Sequence, residues 1–344
     1  MKTRAILLVL AVLFFGANQA KALIQFKDGG THNIDYTIND DVWVDYQAPD
    51  LQTTFNLFDG GYIPNKLQGY NDSRINMFGG YVSHLNVYNN SQVIMSGGSV
   101  RILNMQKNSS AIILNGSVYT LSTYGSSHVT MSGGSFSDLL ANDSCWITMS
   151  DVLFLEGLVI NGNSQLKISS GSFVNMISED NSQATISGGL FSNGLHVCGN
   201  SHVTMSGGSV RILTGNGSGR ATMSGGSASY LSAYENSRIE WLGGIVEGEL
   251  RLKNKGVLTI SGFDFAIDGV PVDFGKITSM LGGPFSDEPY RRLTGTLANG
   301  DIVDNQFKIG EQAFISLVQD VPEPGTIVLL ITGLVACGFL LRRK

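Results

Sequence analysis

Threonine and serine hydroxyls recur at a fixed spacing through the middle of this chain, in a pattern suited to contacting a ligand. The threonines are Thr130, Thr148, Thr185, Thr204, Thr222 and Thr259, and the serines two positions later include Ser132, Ser150, Ser187, Ser206 and Ser224. Residues two apart on a β-strand share a face, so stacked strands would present hydroxyls about 4.8 Å apart. A regular, weakly charged array of this kind can bind a polymer or a crystal surface, and polysaccharide and ice are both candidates.

A structural explanation of the same array stays open. Threonine and serine suit exposed strand positions whether or not they bind anything. Lys167 and Glu240 also interrupt the threonine series, and side chains such as His128, His202 and Arg220 project nearby.

Residues that could perform catalysis or hold a metal ion do not form a recognisable pattern. The acidic residues of the middle region are sparse: Asp138, Asp143, Asp151, Glu156, Glu179, Asp180, Glu235, Glu240, Glu247 and Glu249. Hydrolysis or elimination on a polysaccharide needs carboxylates, or a carboxylate and a base, converging on one face. His128 and His202 would stand about 19 Å apart, too far for one metal ion. We predict no catalytic residue, no metal site and no cofactor. A polysaccharide lyase or hydrolase stays open as the second alternative to the non-enzymatic function that we predict below.

The hydroxyl pairs flank the central residue of a repeat of 18 or 19 residues. The central residues are Met77, Met95, Ile113, Met131, Met149, Ile168, Ile186, Met205, Met223, Trp241 and Ile260, with a weaker copy at Leu57. Apolar residues recur two positions before the centre and five and eight after it, the five-after series beginning at Tyr62, and Gly-Gly pairs mark a corner. This self-similarity predicts an all-β, single-stranded parallel β-helix of about 11–12 coils, which we expect to be right-handed.

The amino-acid composition argues against nucleic acid as a partner. The chain has 43 glycines, 15% charged residues and a net charge of −6, and it has no basic stripe of the kind that binds nucleic acid. Cys337 lies in an apolar segment near the end of the chain. Cys145 and Cys198 would lie about 14 Å apart, so we predict no disulfide between them.

The N-terminal residues predict export. Met1-Lys2-Thr3-Arg4 is basic, residues 5–15 are apolar, and Ala20-Lys21-Ala22 fits a cleavage site. We expect signal peptidase to remove residues 1–22.

The C-terminus carries a second sorting pattern. Val321-Pro322-Glu323-Pro324 precedes a short apolar segment at 326–341, and Arg342, Arg343 and Lys344 follow as a positive anchor. This arrangement resembles the PEP-CTERM sorting signal of Gram-negative bacteria. The resemblance implies an exosortase-like membrane enzyme as partner, release of an inner-membrane-anchored precursor to the cell surface, and association with exopolysaccharide and biofilm matrix. The same segment is also labelled an ice-binding-protein C-terminal region, a label that describes the tail alone.

These observations divide the chain into a signal peptide at 1–22, an N-terminal cap at 23–52, β-helix repeats at 53–262, a C-terminal β cap at 263–320 and a sorting tail with a short transmembrane segment at 321–344. We expect Phe263–Val270 and Leu293–Gly300 to form hairpin strands in the second cap. The function we predict is that of a non-enzymatic structural or adhesive protein of the surface or matrix, with a surface-binding module for ice or polysaccharide as the first alternative.

Overall fold

Short segments of alternating apolar and polar residues form β-strands along the whole described part of this protein. The computed structural model describes residues 22–46, 51–278, 290–310 and 312–320, and within these ranges it contains strands and no helix. The predicted all-β fold is confirmed. The chain divides into two units, 1–118 and 119–344, and the division falls within strand β11 (Ser117–Thr123).

The strands of the first unit are β1 (Leu23–Phe26), β2 (Thr31–Ile34), β3 (Asp41–Val44), β4 (Thr54–Leu57), β5 (Tyr62–Gly69), β6 (Arg74–Met77), β7 (Tyr81–Val87), β8 (Gln92–Met95), β9 (Ser99–Met105) and β10 (Ser110–Ile113).

The strands of the second unit, after β11, are β12 (His128–Met131), β13 (Ser135–Ala141), β14 (Trp146–Met149), β15 (Val152–Ile160), β16 (Gln165–Ile168), β17 (Gly171–Ser178), β18 (Gln183–Ile186), β19 (Leu190–Val197), β20 (His202–Met205), β21 (Ser209–Gly215), β22 (Arg220–Tyr234), β23 (Arg238–Val246), β24 (Leu250–Lys253), β25 (Val257–Ile267), β26 (Val270–Pro271), β27 (Gly275–Thr278), β28 (Arg291–Leu297), β29 (Ile302–Ile309) and β30 (Phe314–Gln319).

Strands one repeat apart pair in parallel and in register, which makes each unit a β-solenoid. In the first unit Ile75 lies opposite Val93, and in the second Val203 lies opposite Ala221. The chain contains about 13 solenoid turns, so the predicted parallel β-helix is confirmed. Each turn has a short strand ending at the central residue of the repeat and a longer strand after the glycine corner.

Within each unit, the inward side chains of successive turns stack into a continuous core. Met149, Met205 and Trp241 are fully buried at the centre of their repeats. Phe136, Phe154, Phe173 and Phe191 stack ring on ring, with centroids 5.1, 5.5 and 4.8 Å apart. Each buried phenylalanine contributes about 1.5–3 kcal/mol through removal of its surface from water. A single repeat cannot bury these residues alone, which explains why the fold needs many copies.

The weak repeat at Leu57 departs from the predicted register. Tyr62 does not enter the core: it lies opposite Tyr81, stacks on its ring at 5.2 Å and is 45% exposed. Ile63, opposite Val82, is the fully buried residue. This copy is longer than the others, and the extra residue moves the apolar position one place along the chain, because burial fixes the register of a strand.

Both ends of the repeat region extend the solenoid further than the repeat motif shows. Strand β1 pairs in parallel with β3, and β2 with β4, so residues within the predicted N-terminal cap already form solenoid strands. At the other end β29 pairs in parallel with β24, and β30 with β25, where Leu317 lies opposite Ile260. The repeat motif is missing in both places because no Gly-Gly pair follows the short strands β2 and β30.

Antiparallel strands cover the last turn. Strand β27 pairs with β30, and β28 pairs with both β25 and β29. Asp301 binds this region to the solenoid by accepting a hydrogen bond from Gly244 N at 2.7 Å. Its hydrogen bond from Asn299, and then the one from Gly244, lower the pKa of the Asp301 carboxyl. Covered edges do not offer unpaired backbone groups to other chains.

The glycine corner brings successive turns into very close backbone contact. A Cβ on Gly207 would lie 2.3 Å from the Ser187 carbonyl oxygen. Gly208 has a φ of 87°, which residues with a side chain rarely adopt, and its Cβ would lie 2.7 Å from the Gly189 oxygen. Gly207 is therefore required because no Cβ fits at its position. Gly208 is required for the same reason and also because of its positive φ.

We predict that Gly207→Ala lowers the free energy of unfolding by about 2 kcal/mol or more, because the backbone of two turns must separate to admit a methyl group. The matched control is Gly157→Ala, where the nearest atom to a new Cβ is Asp138 Oδ1 at 3.4 Å. That change should stay within about 0.5 kcal/mol. Urea denaturation followed by circular dichroism measures both, and equal effects of the two substitutions would contradict the role assigned to the corner.

Candidate ligand-binding face

The short strands of the second unit align the predicted threonines into one column. In register, the residues are Thr130, Thr148, Lys167, Thr185, Thr204, Thr222, Glu240 and Thr259. They point outward because each precedes a buried central residue by one position. We call this set the threonine column.

Most hydroxyls of the threonine column are free to bind a ligand. Among the described residues, the hydroxyls of Thr130, Thr148, Thr185 and Thr259 make no hydrogen bond, and Thr130 and Thr185 are exposed. Thr204 Oγ1 lies 3.3 Å from His202 Nε2, and Thr222 Oγ1 donates to Glu240 Oε2 at 3.4 Å. Both contacts are long and join exposed groups.

Only some of the predicted serines have free hydroxyls. Each serine directly follows the central residue of its repeat, and several donate their hydroxyl to the central carbonyl of the preceding turn. Ser187 donates to Ile168 O at 3.3 Å, Ser206 to Ile186 O at 3.5 Å and Ser224 to Met205 O at 3.4 Å. Ser132 and Ser150 make no such bond among the described residues. Ser187, Ser206 and Ser224 therefore support the corner between turns. The free hydroxyls of the face belong mainly to the threonines, with Ser132 and Ser150 added beside Thr130 and Thr148.

A second column lies beside the threonines on the same face, three positions before each central residue. Its members, in register, are His128, Trp146, Gln165, Gln183, His202, Arg220 and Arg238. We call it the mixed column. All seven side chains are exposed, and Trp146 is 47% exposed. The sequence alone indicates that His128, His202 and Arg220 project near the threonines, and their position three residues before each central residue is the signal that identifies the whole column.

The mixed column borders an open groove. Asn181, Asn200, His202, Ser218 and Arg220 line a volume of about 490 Å³. The lining presents amide, hydroxyl, imidazole and guanidinium groups, all of which can hydrogen-bond to the hydroxyl or acidic groups of a sugar. The groove lies where the short strands of the second unit begin.

The corresponding face of the first unit uses a different residue. Asn33, Asn56 and Asn76 occupy the position before the central residue, and each amide bonds the next, at 2.7 Å and 2.8 Å. These side chains satisfy one another along the stack. The free hydroxyls of the threonine column are therefore a property of the second unit.

Several carboxylates have structural contacts that account for their positions. Asp143 accepts a hydrogen bond from Gly125 N at 2.8 Å, Asp180 from Gly162 N at 3.1 Å, and Glu235 from Gly217 N at 2.9 Å. In each case the carboxylate lies in a tight bend with a positive φ and holds the bend of the preceding turn.

Two pairs of acidic residues that are close in the sequence, Glu179 with Asp180 and Glu247 with Glu249, do not act as pairs in the structure. Asp180 accepts the hydrogen bond from Gly162 N, whereas the side chain of its neighbour Glu179 makes no hydrogen bond among the described residues. Glu249 forms an ion pair with Arg251 at 2.6 Å, and Glu247 is exposed.

The cysteines and the isolated histidine have local structural environments. Cys145 is buried and free, in a column otherwise formed by serines such as Ser127 and Ser164, and its thiol donates to Asn142 O at 2.8 Å. Cys198 is also free, and burial raises the pKa of its thiol. Burial lowers the pKa of His196, which lies on the longer strands. Within the described ranges no group of three His, Cys, Asp or Glu side chains is placed to hold a metal ion.

Comparison with known proteins adds no assignment: no protein-family model matches the chain, and no curated protein and no solved structure is significantly similar to it. No helix within the described residues is long and apolar enough to cross a membrane. The predicted signal peptide, apart from Ala22, and the predicted sorting tail lie outside the described residues; the tail includes Val321, Pro322, Glu323, Pro324, Arg342, Arg343 and Lys344.

We predict that Asp180→Ala lowers the free energy of unfolding by about 1–2 kcal/mol, because alanine neither accepts the Gly162 hydrogen bond nor tolerates the φ of 56°. Asp180→Asn, which keeps an acceptor oxygen and tolerates this conformation, should retain most of the stability. Glu179→Ala is the control and should change it by less than about 0.5 kcal/mol. Thermal unfolding of the three variants measures these changes in stability. If Asp180→Ala is as stable as the unchanged chain, the hydrogen bond to Gly162 does not explain why a carboxylate lies at this position.

Proposed function

We propose that this protein is a structural and adhesive β-solenoid of the bacterial cell surface or extracellular matrix, and that it binds polysaccharide along the exposed face of its second unit. The protein does not cleave the polymer in this proposal. Its flat face provides many weak and equivalent contacts, which suits a long repeating ligand better than a small molecule.

The observation that carries the proposal is the register of the threonine column. Thr185, Thr204 and Thr222 are consecutive along the stack and repeat their hydroxyls at about 4.8 Å. No buried hydrogen bond or core contact accounts for them, in contrast to the serines beside them. A polymer with hydroxyl groups along its length can bond to several turns at once.

The non-enzymatic part of the proposal is supported by the carboxylates. Asp143, Asp180 and Glu235 each bind a backbone N–H of a neighbouring turn. General acid and base catalysis needs such groups free and directed at one substrate.

Export is the second part of the proposal and is supported by the sequence at both ends. The basic and apolar N-terminus with Ala20-Lys21-Ala22 supports cleavage by signal peptidase, and the Pro-Glu-Pro tail supports processing by an exosortase-like enzyme. The mature protein would then reach the surface or matrix of a Gram-negative cell, where exopolysaccharide is available.

We predict that replacing Thr204 and Thr222 together by valine weakens polysaccharide binding about tenfold or more, because two hydroxyls are lost while the β-branched shape is kept. The full chain is incubated with cellulose particles and with dextran and polygalacturonate beads, and bound protein is measured after sedimentation. Thr120→Val, on β11, is the control and should bind as the unchanged chain does.

The same tubes also test the absence of cleavage. Mass spectrometry of the supernatant detects any oligosaccharide released from the beads. Binding without release agrees with the proposal. Release would show an enzyme, and binding to ice crystals with none to any polysaccharide would favour the ice-binding alternative.

A separate prediction concerns sorting. In a Gram-negative host with an exosortase, replacement of Pro322, Glu323 and Pro324 by alanine should leave a full-length tail on the protein in the inner-membrane fraction. The unchanged chain should lose the tail and appear at the surface, and Pro271→Ala should behave in the same way. Intact-mass measurement of each fraction decides, and surface delivery of the alanine variant would refute this route.

A further inference from the structure

We propose that the polysaccharide is acidic and that its carboxylate or sulfate groups bind Arg220 and Arg238 in the mixed column. This inference rests on the proposed function and adds the chemical class of the ligand. It also adds the two guanidinium groups to the threonine hydroxyls beside them, as the contacts that select an acidic polymer over a neutral one.

The two arginines lie directly opposite each other on adjacent parallel strands. Like charges in this arrangement repel and destabilise the sheet. Both side chains are exposed, and neither takes part in any ion pair between described residues. An anionic group bound between them would remove the repulsion and form charge-assisted hydrogen bonds with both.

Over their whole length, the two columns carry more cations than carboxylates. Lys167 lies in the threonine column, and His202 is next to Arg220 in the mixed column. Glu240 is the one carboxylate within these two columns, and it accepts a hydrogen bond from Thr222. Counting lysine and arginine alone, three cations face one carboxylate.

The remaining members of the mixed column suit the rest of a sugar chain. Gln165 and Gln183 can donate to and accept from hydroxyl groups, and the exposed ring of Trp146 offers an apolar surface for a sugar ring. From Trp146 to Arg238 the column spans five turns, or about 24 Å, which is long enough for several sugar units. We infer that the chain runs along the stack, with its acidic groups at the arginine end.

Polysaccharide fits this column better than single-stranded nucleic acid, the other common acidic polymer. Proteins that bind single strands without sequence preference stack successive bases on several aromatic side chains. Trp146 is the only aromatic member of the mixed column apart from the histidines, and the arginines lie turns away from it.

The experiment measures the affinity of the full chain for polygalacturonate, dextran and single-stranded DNA, by biolayer interferometry on immobilised polymer. The probe expected to bind best is polygalacturonate, and its affinity should fall as sodium chloride rises from about 50 to about 300 mM. Replacing Arg220 and Arg238 together by glutamine should weaken this binding tenfold or more. The same variant should bind dextran as before.

The matched control replaces Arg101 and Arg211 by glutamine, which removes the same charge from exposed positions on the longer strands. It should bind polygalacturonate within about twofold of the unchanged chain, since distant exposed charges are screened by salt. Thermal unfolding provides a second readout, because Arg238→Gln should raise the melting temperature slightly when the repulsion is removed.

The outcomes separate this inference from the proposed function. If dextran and polygalacturonate bind equally well, or if the arginine pair can be replaced without loss, the polymer is not selected by its acid groups and the inference is wrong. If no polysaccharide binds, the proposed function fails with it. Tighter binding of DNA than of polygalacturonate would also overturn the inference and assign the column to nucleic acid.

Discussion

The close approach of successive backbones at the glycine corner is the constraint on which the rest of each unit depends. No side chain fits between Gly207 and the carbonyl of Ser187, so one turn rests directly on the turn before it. This contact sets the same register on both sides of the corner. The aligned strands then bring equivalent residues into columns, inward to form the phenylalanine stack and outward to form the two columns of the candidate face.

The repeat in the sequence was sufficient to predict the fold and the column to which each outward residue belongs. Periodicity determines which side of a strand a residue occupies, and the threonines are aligned as the spacing predicted. Spacing does not determine what a side chain bonds to. Ser206 and Thr204 are two residues apart and were treated alike, but Ser206 lies beyond the strand end, where a backbone carbonyl of the preceding turn is within reach.

The differences between the predicted and the observed register at the two ends of the repeat region have a related cause. Counting from the central residue predicts that Tyr62 lies in the core, but one extra residue in that turn moves Ile63 into the buried position. The turn formed by β29 and β30 was invisible because residues 263–301 intervene and the corner lacks its glycine pair. Counting along a repeat fails wherever an insertion is accommodated, whereas burial identifies the residue that fills the core.

The covered end of the second unit has a consequence for assembly. Strand β30 is paired on both sides, by β25 and by β27, and β29 is paired on both sides by β24 and β28. The outermost strand, β27, is short and carries Lys276, which lies over the ring of Phe314. Among the described strands at this end, no long strand is left with a vacant edge on which a second copy could add a strand. In the proposed function, copies that gather on a shared polymer would therefore not join one another by strand pairing through this end.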